Sequence, residues 1–212
     1  EPQMAASDRD IPQIYLLSPP EVELSAFPAR LADVLDAHAV ACVRLSLATS
    51  DADRIARAAD ALRAVCHDAD VALVIDSHVG LVERLGLDGV HLTDGARSVR
   101  KVRADLGGDA IVGAFCGASR HDGMTAGEQG ADYIAFGPVT DTGLGDGTVA
   151  DRDLFAWWSE MIEVPVVAEG GLDEPTIRSL APVTDFFGIG EEIWREDDAA
   201  AMLARLKAAM GA

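Results

Sequence analysis

Eight short apolar runs, each followed by an amphipathic segment, predict a single-domain α/β fold, the closed (β/α)8 TIM barrel. The chain has 212 residues, enough for one domain with a large core. The alternative is an open, doubly wound sheet. No G-x-G-x-x-G or Walker-type loop follows any run, so that sheet would lack its usual ligand. We therefore predict a barrel over residues 11–212, preceded by a flexible terminus at residues 1–10.

The predicted strands are short apolar runs bounded by Gly, Pro or polar residues, as expected for a parallel sheet covered on both faces. They span residues 14–17, 41–47, 71–75, 89–92, 110–116, 133–136, 164–168 and 186–189. The sixth strand is the clearest of them. Gly137-Pro138 follows it directly, and proline has no amide hydrogen to donate to a neighbouring strand.

The segments between these strands carry apolar residues at helical spacing. Residues 24–38, for example, place Leu24, Phe27, Leu31 and Val34 on one face. The later helices are predicted at residues 51–66, 79–85, 98–106, 124–129, 151–161, after Pro175, and at 197–210. Ser98 is expected to cap the helix that begins there.

Charge composition restricts the partners. A net charge of −19 argues against nucleic acid or an anionic membrane, because both require basic patches. The two lysines, Lys101 and Lys207, lie in predicted helices, so no lysine remains to form a Schiff base at the barrel mouth. We therefore expect a small-molecule ligand or substrate.

The cysteines and tryptophans point to packing. Cys42, Cys66 and Cys116 lack metal-ligand spacing. As free cysteines they act as small apolar residues, which fits a reducing compartment and a cytoplasmic location. No apolar run approaches the roughly 20 residues of a membrane span. Trp157 and Trp158 are expected to pack, or to form a homo-oligomer contact if one ring is exposed.

Chemistry in this fold lies at the C-terminal ends of the strands. Five acidic residues near those ends are predicted to line a cup at the mouth: Asp76, Asp94, Asp141, Glu169 and Glu191. Such a cup suits a hard metal or a cationic ligand, or shifts one pKa to give a general acid or base. The alternative is that each carboxylate only solvates a loop. His78 follows a strand end and is the histidine acid–base candidate, whereas His91 is expected to be a hydrogen-bonded barrel residue.

Three stretches of the chain resemble the thiamine-phosphate synthase and TenI family. They are the words DGVHL at 88–92, GADYIAFGPV at 130–139 and PVVAEGGL at 165–172. The resemblance covers nearly the whole chain and implies a TIM barrel. It also implies a Mg²⁺-dependent reaction that joins hydroxymethylpyrimidine diphosphate to thiazole phosphate and releases pyrophosphate. The site predicted with its help has catalytic His78 and Asp76, metal ligands Asp94 and Asp76, and substrate-binding Arg44, Thr140, Thr142, Gly170, Gly171 and Gly190.

Several positions depart from the family pattern. Where the family has Gln-x-Arg-x-Lys after strand two, this chain has Arg44, Ser46 and Ala48. The family's Asn-Asp-Arg is replaced by Asp76, Ser77 and His78, and its Gly-Gln-Glu-Asp by Thr93, Asp94, Gly95 and Ala96. The lysine expected after strand six falls near Gly145, and the serine expected after strand eight falls near Glu191.

These departures affect the predicted reaction through charge. A diphosphate beside Glu169 or Glu191 would experience about 3 kcal/mol of repulsion per pair at roughly 6 Å and an effective dielectric near 20. We therefore predict a family barrel whose synthase activity is weak or lost. The alternatives are a repurposed TenI-like isomerase acting through His78 or a carboxylate, and a non-catalytic barrel that binds a small molecule.

Overall fold

A computed structural model describes residues 11–143 and 147–211. The predicted flexible terminus at residues 1–10, and Gly145, lie outside the described residues. The strands are β1 Gln13–Leu17, β2 Cys42–Leu45, β3 Ala72–Asp76, β4 Gly89–Leu92, β5 Ile111–Phe115, β6 Tyr133–Phe136, β7 Val166–Glu169 and β8 Phe186–Ile189. All eight are parallel, and β8 pairs with β1 to close the barrel. The predicted TIM barrel is confirmed.

Helices follow each strand and cover the outside of the barrel. They are α1 Phe27–Ala37, α2 Ala52–Asp68, α3 Val79–Leu85, α4 Val99–Leu106, α5 Arg120–Glu128, α6 Arg152–Met161, α7 Glu174–Leu180, α8 Glu191–Trp194 and α9 Ala199–Ala209, with a 3-10 helix at Ala181–Val183. None of the described helices is long and apolar enough to cross a membrane.

Two helix starts differ from the prediction by three or more residues, and one predicted cap is absent. Helix α5 begins at Arg120 rather than near residue 124. The first helix begins at Phe27, and Leu24 is exposed, because Pro28 favours the first turn of a helix, where its missing amide hydrogen costs nothing. Ser98 precedes α4 as predicted but does not cap it through its side chain. Its hydroxyl instead donates to Asp94.

The core has two layers separated by the sheet. The larger layer packs the helices against the outer face of the strands. The smaller layer fills the barrel interior and includes Tyr15, Val74, Tyr133 and Val167. Cys42 belongs to the interior, and all three cysteines are buried and free, as predicted from their apolar context.

Three aspartates make the same contact at the N-terminal face of the barrel. Asp88, Asp132 and Asp185 each directly precede an even-numbered strand. In each case Oδ2 accepts a hydrogen bond from an amide near the start of the preceding strand: Leu73 at 2.7 Å, Val112 at 2.7 Å and Val166 at 2.9 Å. The repeated contact fixes the register between paired strands where they enter the barrel.

Replacing Asp185 by alanine is expected to lower the free energy of unfolding by about 1–2 kcal/mol, because the buried amide of Val166 loses its acceptor. Urea unfolding measures this loss. Asp105→Ala is the matched control, since Asp105 is exposed and makes only a long 3.8 Å ion pair with Lys101. Equal losses in the two variants would contradict the assignment.

Candidate functional site

The C-terminal half of the barrel interior is organised around one arginine. Among the described residues, Arg44 is the one buried Arg or Lys side chain. Its Nη1 donates to Oε1 of Glu169 at 3.0 Å, and its Nη2 donates to Oε2 at 2.7 Å. Two parallel hydrogen bonds of this kind form the strongest arginine–carboxylate geometry. Burial alone would lower the pKa of Arg44, but Glu169 raises that pKa well above its usual value.

Asp76 completes the charged cluster at the end of β3. Its Oδ1 lies 3.4 Å from Arg44 Nε, and both of these buried atoms lack a hydrogen-bond partner. The side chain of Asp76 is 23% exposed, against 6% for Arg44 and 11% for Glu169. Burial raises the pKa of Asp76, although Arg44 acts in the opposite direction. Asp76 is therefore the member of the cluster with most access to the mouth.

A column of hydrogen bonds runs from Arg44 down through the barrel. Arg44 Nη1 lies 3.0 Å from His91 Nε2, and His91 Nδ1 lies 2.8 Å from the hydroxyl oxygen of Tyr133. That hydroxyl also bonds to the hydroxyl of Tyr15. The column confirms the prediction that His91 is a hydrogen-bonded barrel residue.

The partners of His91 fix its tautomer. Arginine can only donate, so His91 Nε2 must be the acceptor. Burial, followed by the charge of Arg44, lowers the pKa of His91 well below its usual value. The neutral ring then carries its single hydrogen on Nδ1 and donates it to the hydroxyl oxygen of Tyr133.

We expect ¹⁵N NMR of His91 to show a protonated Nδ1 and an unprotonated Nε2 throughout about pH 5–8, the range in which an ordinary histidine titrates. Because the folded state excludes this proton while the unfolded chain takes it up below about pH 6.5, the stability due to this group is lost as the pH falls below that value. A titration midpoint near pH 6.5 in the folded protein, or an Nε2–H tautomer, would contradict the assignment.

The predicted acidic cup is only partly assembled. Asp76 and Glu169 converge on Arg44, but Asp94 and Asp141 are exposed and bond locally, to Ser98 and to the amide of Gly143. Glu191 is also exposed. The five carboxylates therefore do not form the single cup that the sequence predicts, since two of them satisfy hydrogen bonds within their own loops.

Glu192 also follows the eighth strand, but the sequence predicts Glu191 rather than Glu192 in the acidic cup. Glu192 Oε1 accepts from the amide of Gly190 at 3.4 Å. Burial raises the pKa of Glu192, and the charge of Glu169 adds to that shift. The missing signal was the short helix α8, which begins at Glu191 and turns its second residue inward.

The predicted substrate-binding residues of β6 and β7 lie together. Thr140 Oγ1 donates to the carbonyl of Gly171 at 2.7 Å, and the Val139 amide donates to the carbonyl of Gly170 at 2.8 Å. Gly170 and Gly171 have φ of 88° and 77°, a backbone region that favours glycine. A Cβ atom on Gly171 would also meet Thr142 Cγ2 at 3.3 Å. The glycine turn and the loop after β6 form one packed unit.

His78, the histidine acid–base candidate, lies outside the cluster of Arg44, Asp76 and Glu169. His78 occupies the N-cap position of α3 and is exposed.

Of the tryptophan pair, Trp158 is fully buried, whereas Trp157 is half-buried beneath the Arg120 guanidinium, which lies 3.9 Å from the ring centroid of Trp157. Packing therefore accounts for both rings.

Comparison with known proteins decides the family. A sequence model described as thiamine monophosphate synthase matches residues 14–185. The chain belongs to the thiamine-phosphate synthase family. It is 41% identical over 184 residues to the thiamine-phosphate synthase of Rhodospirillum centenum, covering 86% of this chain and 89% of that one. It is 38% identical over 205 residues to the Erythrobacter litoralis protein of the same name, covering 93% and 96%.

A solved structure supports the fold of this thiamine-phosphate synthase family member. The thiamine phosphate pyrophosphorylase from Pyrococcus furiosus superposes with a TM-score of 0.80 at 19% identity, covering 96% of each chain. At that identity the likeness establishes the shared barrel alone. The family resemblance predicted from the sequence is confirmed.

The residues at the mouth bear on the magnesium ion that the family resemblance implies. Mg²⁺ is usually bound through one or two carboxylates together with substrate phosphates. The positions that the resemblance assigns to its aspartates hold Ser77 and Ala96. The neighbouring Asp76 faces Arg44, and Asp94 accepts from Ser98. Across residues 11–143 and 147–211, no three His, Cys, Asp or Glu side chains are grouped to hold a metal. Because Ser77 and Ala96 replace the two aspartates and the neighbouring carboxylates face Arg44 and Ser98, these positions do not fit the ion.

Proposed function

We propose that this member of the thiamine-phosphate synthase family binds a neutral or cationic small heterocycle at the barrel mouth and does not carry out pyrophosphate-releasing coupling. One observation carries the proposal: the buried arginine at the centre of the mouth is already paired with Glu169 and faces Asp76. Departure of a pyrophosphate requires uncompensated cations or amide donors to stabilise its charge.

The charge of the cluster supports this proposal in either protonation state of Asp76. Arg44 contributes +1, Glu169 −1 and neutral His91 zero, so the sum is −1 with Asp76 ionised and zero with Asp76 protonated. A diphosphate therefore gains no net attraction from the buried groups. A neutral or cationic ring experiences no electrostatic repulsion when it approaches these groups.

Asp76 is the residue that we assign to ligand contact and proton exchange. Burial raises the pKa of Asp76, and the side chain is partly exposed; both features favour a role in proton exchange. Its Oδ1 is buried against Arg44, so a ring N–H or an amino group would donate to the other carboxylate oxygen. His78, the other predicted catalytic residue, lies at the exposed start of α3 and is a secondary candidate.

Synthase activity is the second candidate, and the names of the two bacterial relatives favour it. Under this alternative the Gly170–Gly171 turn would supply backbone amides to a phosphate, and Arg44 would have to release Glu169 to meet the pyrophosphate. The two functions therefore differ in whether an anion enters the centre of the mouth.

Calorimetry and turnover separate the two functions. We expect the wild-type chain to bind thiamine or the thiazole alcohol and to show no heat with hydroxymethylpyrimidine diphosphate and Mg²⁺. Asp76→Asn should weaken the binding by about 10- to 100-fold, the value of a hydrogen bond to a charged group. Repeated formation of thiamine phosphate from the diphosphate and thiazole phosphate would overturn the proposal.

A further inference from the structure

Glu169 is bound to Arg44 in the manner of an anionic ligand. Its two carboxylate oxygens accept from Nη1 and Nη2 of the guanidinium at 3.0 and 2.7 Å. The same guanidinium edge binds phosphoryl groups with two parallel hydrogen bonds. The carboxylate therefore occupies the position on Arg44 that an incoming phosphate would need.

Two glycines leave room for the Glu169 side chain beside Arg44. Gly188 is its register partner in β8, and a Cβ atom on Gly188 would lie 2.9 Å from Glu169 Cβ. On the other side, a Cβ atom on Gly137 would lie 3.1 Å from Glu169 Cγ. A side chain at either position would therefore collide with the stem of Glu169, so the two glycines leave the space from which Glu169 reaches Arg44.

Arg44 has little capacity left for a second anion. Nη1 also donates to His91, and Nε faces Asp76 at 3.4 Å. An anion approaching the guanidinium from the mouth would meet two carboxylates before it met the positive charge.

We propose that Glu169 is the specificity-determining residue of the mouth: it acts as an internal anion that saturates Arg44 and excludes phosphoryl ligands. The inference rests on the proposed function, because it explains why the wild-type mouth refuses a diphosphate. A single side chain, that of Glu169, maintains the exclusion of phosphoryl ligands. Removing that carboxylate converts Arg44 into an anion site.

Inorganic pyrophosphate without metal is the probe, and calorimetry at low ionic strength is the measurement. We expect Glu169→Ala to bind pyrophosphate about 10- to 100-fold more tightly than the wild type, since a charge-assisted bidentate contact replaces a repulsion. Glu169→Gln keeps the volume and one acceptor, so it should give a smaller gain in the same direction. Circular dichroism shows whether each variant is folded. If Glu169→Ala does not fold, the pyrophosphate affinity of Glu169→Gln tests the inference.

The control adds Arg44→Met to Glu169→Ala, and the gain should disappear because the guanidinium is absent. A gain that persists in the double variant would overturn the inference, since the anion would then bind elsewhere. A folded Glu169 variant without any gain would also overturn it, while leaving the wild-type refusal of diphosphate intact. If the wild type binds pyrophosphate as tightly as the variant, both this inference and the proposed function fail.

Discussion

Replacing Arg44 by methionine is expected to lower the free energy of unfolding by about 3–5 kcal/mol, the cost of breaking a buried ion pair by removing one partner. The variant leaves the Glu169 carboxylate buried without a counter-ion and leaves His91 Nε2 without a donor. Urea unfolding at neutral pH, followed by circular dichroism, measures the loss. It is the largest effect expected from any single charge removal in the cluster.

Two comparison variants show whether the loss comes from the unpaired charge. Arg44→Met/Glu169→Leu should recover most of the stability, because well-packed apolar residues often replace a buried pair without loss. Arg57→Met should cost less than about 0.5 kcal/mol, because its pair with Asp53 is exposed. A loss below about 1 kcal/mol for Arg44→Met alone would show that the cluster does not stabilise the barrel.

Gly113→Ala is expected to destabilise the protein by about 3 kcal/mol, at the upper end of the range for overpacking. Gly113 lies in β5, opposite Tyr133 in the register of β6. A Cβ atom at this position would lie 2.0 Å from Cζ and 2.3 Å from the hydroxyl oxygen of Tyr133. The ring would have to move, and its hydrogen bond to His91 would be lost. Thermal and urea unfolding measure the loss, and the ¹⁵N signals of His91 report the broken contact.

Gly80→Ala is the matched control. Gly80 lies in α3, is exposed and has no atom within 4 Å of a built Cβ. Alanine in a helix interior is favoured over glycine by about 1 kcal/mol, so this variant should be slightly more stable than the wild type. A neutral Gly113→Ala variant with an unchanged His91 tautomer would contradict the described packing of the barrel interior.

Most of the fold could be predicted from local patterns. The run 133–136 between glycine-containing turns gave the exact bounds of β6, and residues 79–85 gave those of α3. The incorrect predictions of secondary structure concern short segments. The four-residue helix α8 is too short for apolar periodicity to show which residues face inward, so the predicted cup includes Glu191 although Glu192 is the less exposed of the two.

The site was less predictable because it depends on contacts between distant parts of the chain. Arg44 and Glu169 are 125 positions apart, and Tyr15 and Tyr133 are 118 apart. Strand ends predicted that Arg44, Asp76 and Glu169 share one face of the barrel. They did not predict that Glu169 would neutralise Arg44, since that requires the distance between side chains on strands that are not neighbours. The same limit explains why Asp94 and Asp141 were grouped with a cup that they do not join.

A crystal of the wild-type protein soaked with pyrophosphate and Mg²⁺ tests the central claim most directly. The charge arrangement predicts that the two hydrogen bonds between Arg44 and Glu169 remain and that no phosphoryl group lies within hydrogen-bond distance of the guanidinium. Pyrophosphate bound to Arg44, with Glu169 rotated away from it, would contradict the claim and restore the coupling reaction as the function of the mouth.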